Sequence, residues 1–62
     1  MFTLEINTDN AAFEGEYLPL ELARILREVA RWIDTLGVED HRGLYDVNGN
    51  LVGQYNYAGG VS

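Results

Sequence analysis

Between Pro19 and Leu36 the apolar residues fall three and four apart, and this stretch decides most of what the chain can become. Leu22, Ile25, Leu26, Val29, Trp32 (or Ile33) and Leu36 form the stripe of an amphipathic helix over about 19–36. Pro19 suits the first turn, where its missing N–H costs nothing. Gly37 suits the residue just past the end, where a left-handed backbone is needed. Glu21–Arg24, Arg24–Glu28 and Glu28–Arg31 are spaced for modest ion pairing along the exposed side. One such helix can cover one face of a small sheet and no more.

Ahead of the helix, "FTLEIN" alternates: Phe2, Leu4 and Ile6 point one way, Thr3, Glu5 and Asn7 the other. That period of two marks a half-buried strand. "TDNAAFEGEY" breaks the pattern and reads as a connection, with Phe13 pinned to the core. After the helix, "GVEDHRG" is a second connection.

The segment "LYDVNGNLVGQY" then poses a choice between a metal loop and a corner. An EF-hand needs Gly at its sixth position and a bidentate acid at its twelfth. Counted from Asp46, those positions hold Leu51 and Tyr57, so the pattern fails. A turn accounts for every residue. Asp46 fits the first position of a type I turn, bonding the backbone ahead, and Asn48 tolerates the third. Gly49 supplies the positive φ of the following bulge. Strands "GLYD" and "NLVGQYNY" flank the turn as a hairpin, pairing Tyr45 with Leu51 and Leu44 with Val52. A two-residue Asn48–Gly49 loop would instead pair Tyr45 with Val52, and the bulged form is preferred.

Strand, helix, strand, strand makes an α+β domain of βαββ type over residues 1–57, with "AGGVS" at 58–62 as a flexible tail. A strand–helix–strand crossover sets the first two strands parallel. The third runs antiparallel to both, so sheet order 1-3-2 is favoured over 1-2-3, with the helix across one face.

Association follows from size. A chain of 62 residues buries too little surface for comfort, and without cysteine it has neither disulfide nor thiolate zinc to help. The hairpin reads as apolar on both faces, with Tyr45, Leu51, Tyr55 and Tyr57 on one side and Leu44 and Val52 on the other. The side away from the helix needs a cover, which makes these six residues a candidate interface and a homodimer the expected state.

Ten acids against four arginines and no lysine give a net charge of −6, which disfavours direct nucleic-acid binding. Glu5, Asp9, Glu14, Glu16 and Glu21 all precede the first arginine and form a candidate acidic face. The plain reading of this charge is solubility, and the sharper one is a face that docks on a basic protein surface or imitates nucleic acid. No apolar run approaches a membrane span and the first ten residues lack the features of a signal peptide. A cytoplasmic location is expected.

Catalytic chemistry is sparse. One histidine, His41, no cysteine and a single serine, Ser62, assemble no nucleophile–base pair. Glu39, Asp40 and His41 would supply two or three metal ligands with no second cluster to complete a site. Glu14 and Glu16 lack the dry pocket that acid–base work requires. No glycine-rich phosphate loop occurs. The reading is a non-enzyme with no cofactor and no metal. Arg24, Arg27 and Arg31 share a side of the helix, and Glu28 among them points to a solvated, ion-paired face.

The combination of "EINTDNAAF", "ELARILREVA" and "YDVNGNLVG" resembles small proteins encoded in bacteriophage genomes. "YDVNGNLV" also looks like one unit of the tyrosine–aspartate repeats of large bacterial toxins, but it occurs once, as convergent hairpin chemistry. The phage resemblance implies a stoichiometric inhibitor of a host enzyme or defence component, acting in the host cytoplasm. Nucleic-acid mimicry, a ligand site between protomers using His41 and the tyrosines, and a virion-associated structural subunit are the alternatives.

Overall fold

In the computed structural model, which describes residues 1–38 and 41–58, the chain runs through β1 (Phe2–Ile6), a 3-10 turn (Ala11–Phe13), α1 (Tyr17–Leu36), β2 (His41–Tyr45) and β3 (Leu51–Tyr57). The strands form one sheet in the order β1-β3-β2, antiparallel at both pairings. This is the α+β, βαββ arrangement with the last strand in the middle that the crossover argument favours. β2 starts at His41, two residues before the expected "GLYD", and stops at Tyr45. Glu39 and Asp40 lie outside the described residues, as do residues 59–62 of the expected tail. Ala58, also assigned to that tail, is instead tied down. Its N–H donates to the Met1 carbonyl at 2.9 Å and its own carbonyl accepts the Met1 ammonium at 2.7 Å.

The helix begins at Tyr17, earlier than Pro19 suggests, because Gly15 takes a φ of 52° and turns the chain into it. Tyr17 N–H then donates to the Glu14 carbonyl at 2.9 Å. At the other end Gly37 adopts a φ of 83° and its N–H donates to the Ile33 carbonyl, as its place after the apolar stripe indicates. The buried line is narrower than the full stripe. Glu21, Ile25 and Val29 are buried, Leu22, Trp32 and Ile33 pack partly, and Leu26 and Leu36 are exposed. Leu26 follows Ile25 directly, and a step of about 100° per residue carries it off the line of 21, 25 and 29.

Between β2 and β3 the Asp46 turn closes in the bulged form. Asp46 N–H donates to the Asn50 carbonyl and Gly49 N–H to the Asp46 carbonyl, with Gly49 at a φ of 84°. Tyr45 pairs with Leu51 as expected, but Leu44 pairs with Gly53 rather than Val52, which stands out as the extra residue of a second bulge. Inserting one residue shifts the alternation of everything after it. Tyr55 therefore falls on the helix side, opposite Leu4 and Arg42, and Tyr57 falls opposite Phe2 on that same side.

Phe13, Ile25, Val29, Leu44, Val52 and Tyr55 make the core, with Leu4, Ile6 and Ala12 packed against it. Each such side chain contributes roughly 1.5–3 kcal/mol relative to leaving it in water. Phe13 is pinned there as its isolation in the loop suggests. At Gly53, opposite Ile6, β1 leaves no room for a side chain, and a Cβ built there would run into the carbonyl oxygen of Glu5. Near the other end of the sheet, the Arg42 guanidinium lies 4.6 Å from the centre of the Trp32 ring. Among the described residues no helix is long and apolar enough to cross a membrane.

Candidate functional site

Three of the six candidate interface residues prove to be core. Leu44, Val52 and Tyr55 are 0%, 7% and 1% exposed, so they are sealed under α1 and cannot be offered to a partner. The physical reason is the Val52 bulge, which moves Tyr55 across the sheet. Tyr45, Leu51 and Tyr57 remain exposed, the last on the helix side. The outer face is mostly polar, carrying Thr3, Glu5, His41, Gln54 and Asn56, all exposed. Tyr45 and Leu51 form a small apolar patch at one end of it, above Gly43.

The acidic face is divided too. Glu5 points outward from the sheet opposite Gln54, Asp9 sits in the loop after β1, and Glu14 and Glu16 precede α1, all exposed. Glu21 is only 7% exposed and belongs to the interior of the molecule. Its Oε1 accepts Arg24 Nε at 2.9 Å and its Oε2 accepts an Arg24 terminal nitrogen at 2.8 Å, a bidentate pair. The same Oε2 accepts the backbone N–H of Val47 at 2.8 Å. Arg24 also reaches the Glu28 carboxylate and the Tyr45 carbonyl, each at 3.2 Å. The Arg24 hydrogen bond, helped by the Val47 N–H and opposed by burial, holds the Glu21 carboxyl below the usual glutamate range. Glu21 in turn raises the guanidinium pKa of Arg24. Two of the expected helix ion pairs thus form, and Glu21 and Arg24 of these also bond the hairpin, at the Val47 N–H and the Tyr45 carbonyl.

Asp46 is the second hub. Its Oδ1 accepts the N–H groups of Asn48 and Asn50, both at 2.9 Å. Its Oδ2 accepts the side-chain amides of Asn50 at 3.1 Å and Asn10 at 2.9 Å. The Asn50 backbone N–H, with these other donors, draws the Asp46 carboxyl below the usual aspartate range against the cost of burial. Both oxygens are taken up by donors of the turn and by the Asn10 amide. Asn10 caps the 3-10 turn through Oδ1, which accepts Ala12 N–H at 2.8 Å, while its amide reaches Asp46.

These hubs fasten three elements around one groove. Asn10–Asp46 joins the 3-10 turn to the hairpin, and Glu21–Val47 joins the helix to it. Between them lies a hollow of about 270 Å³ lined by Ala11 and Ala12, by Tyr17, Leu20 and Glu21, and by Val47 and Asn48. Tyr17, Leu20 and Val47 are 64%, 65% and 67% exposed, large apolar side chains from two elements left open around a rigid floor. Sequence reasoning missed this groove. One signal for it lay in the spacing, since Glu21 stands four residues before Ile25 and eight before Val29, on the buried line.

His41, the only histidine, is exposed at the start of β2. Among the described residues no group of three or more His, Asp or Glu side chains is placed to hold a metal ion. No protein-family model, curated protein or solved structure matches the chain.

Proposed function

We propose that this chain is a small, non-enzymatic interaction protein that binds and modulates another protein. The observation that carries this reading is the set of exposed apolar side chains, Tyr17, Leu20 and Val47, held around a groove whose walls are cross-braced by buried carboxylates. Exposed apolar surface on a fixed scaffold is the usual mark of a protein contact site. The resemblance to small phage-encoded proteins makes a host protein, such as a defence-system component, the expected target, and inhibition in the host cytoplasm the expected effect.

Purification of the tagged chain from a bacterial host lysate tests the reading. A partner recovered at stoichiometric ratio supports it, and recovery of the chain alone counts against it. Nucleic-acid mimicry loses support, since Glu21 is buried and Glu5 lies on the face of the sheet away from the helix.

Self-association is a second reading, favoured by one observation. Tyr45 and Leu51 are cross-strand neighbours, 53% and 66% exposed, on an otherwise polar outer face. Sedimentation over a range of concentrations checks it. A dimer that Leu51→Glu dissociates supports pairing through this patch, whereas a monomer throughout removes the homodimer.

A further inference from the structure

We propose that the groove between α1 and the hairpin turn receives a bulky apolar side chain carried by a basic segment of the partner protein. The inference rests on the interaction reading above and gives that partner its chemistry.

Size and lining supply the first argument. At about 270 Å³ the hollow falls below the roughly 300–1,000 Å³ of small-molecule sites. It has room for one anchoring side chain. Its walls at Ala11, Ala12, Leu20 and Val47 are aliphatic, and Tyr17 adds a ring. Anchors seated in such pockets supply most of the energy where proteins meet.

Charge supplies the second argument. Tyr17 is also a wall of an adjoining hollow of about 500 Å³, shared with Glu14, Gly15 and Glu16. Both carboxylates are exposed, and no residue lining either hollow is basic. Arg24, the first basic residue in the chain, is held by Glu21 and Glu28. The positive end of the helix dipole offsets only about half an elementary charge of the two. An aromatic or aliphatic anchor with Lys or Arg beside it therefore meets both hollows at once. A second copy of this chain is a poorer fit, because it has no lysine and a net charge of −6.

Amide NMR spectra of the full chain, titrated with the peptide Lys-Lys-Phe-Lys-Lys, test this. Shifts should centre on Ala12, Tyr17, Leu20, Val47 and Asn48. Replacing the peptide's Phe by Ala should weaken binding about tenfold. Glu14→Gln with Glu16→Gln should weaken it roughly threefold at low salt. Leu20→Ser with Val47→Ser, both at exposed positions, should abolish the shifts, while Leu51→Ser on the outer face should leave them intact.

Shifts that are absent, that fall on the outer face, or that are equal for the Ala peptide overturn the proposal. Groove shifts that grow with protein concentration and no peptide assign the hollow to a second copy, and overturn it equally. A lysate partner captured as well by the Leu20→Ser, Val47→Ser chain as by the parent also defeats the groove, yet leaves the interaction reading standing. Peptide shifts confined to the groove, with no lysate partner at all, would do the reverse.

Discussion

The Glu21 carboxylate accepts the backbone N–H of Val47 across 26 positions of sequence, at 2.8 Å, while clasping Arg24 with both oxygens. One side chain thus satisfies a backbone donor of the turn and orients the guanidinium that reaches Tyr45. Helix and hairpin are joined by charge-assisted hydrogen bonds as well as by the apolar core.

Removing Glu21 tests that joint. Glu21→Ala leaves the Val47 N–H without its acceptor and leaves the partly buried Arg24 guanidinium only the Glu28 carboxylate and the Tyr45 carbonyl. Because the Arg24 side chain is 31% exposed, water relieves some of the loss. A cost of about 2 kcal/mol is expected, below the 3–5 kcal/mol of a fully buried pair. Urea denaturation measures it, and Glu16→Gln, at an exposed site, should fall within about 0.5 kcal/mol of the parent.

Acid should weaken the fold through the same groups. Glu21 and Asp46 both have carboxyl pKa values lowered in the folded state. A lowered folded pKa gives stability that is fully present above the unfolded value, about 4 for either acid, and is lost as pH falls through the folded one. Thermal midpoints should stay level from neutral pH down to about 5 and then decline. Glu21→Gln and Asp46→Asn should each flatten that decline, and an unchanged acid slope in both would refute the assignment.

Tyr55 offers a gain. Its ring is buried against Phe2, with centroids 5.4 Å apart, and its hydroxyl is buried with no hydrogen-bond partner among the described residues. Leaving a buried donor unmatched costs about 1–3 kcal/mol. Tyr55→Phe keeps the ring and removes the unmatched group. Calorimetry should show a midpoint raised by roughly 4–8 °C, the shift that about 1 kcal/mol produces in a domain of this size.

Two glycines of the hairpin should behave oppositely. Gly53→Ala forces a methyl group into the Glu5 backbone and should cost about 3 kcal/mol, the upper end of overpacking. At Gly43 the nearest atom to an added Cβ is the tip of Leu51, 3.0 Å away on an exposed side chain that can swing aside. Gly43→Ala should change stability by less than about 0.5 kcal/mol. Parallel chemical denaturation of the two variants makes the comparison.

The fold was legible because its signals are local. The change from a period of two to one of three and four marked β1 and α1, and Asp46, Asn48 and Gly49 specified their turn from side-chain chemistry alone. Connectivity favoured the order β1-β3-β2 over 1-2-3, and the sheet has it. The Val52 bulge was not legible, because it depends on how β3 meets both its neighbours and leaves no local mark. Every assignment of face beyond it, Tyr55 above all, inherited that error. Glu21 was misplaced for a different reason. At three residues from Arg24 it resembles any surface ion pair, and only the distant Val47 N–H explains a carboxylate on the buried line. The groove depends on contacts such as Asn10–Asp46, 36 residues apart, that no window on the sequence contains.

The strand that occupies the middle of the sheet is also the last of the described elements to be synthesised. Until residues 51–57 emerge, β1 and β2 have no neighbour to bond, and a lone helix of this length is marginal in water. A nascent chain arrested at Asn50 would hold helical turns at most, and β architecture would arrive in one closing event. Released fragments ending on either side of β3 would therefore differ in kind, the shorter digested by protease and the longer resistant.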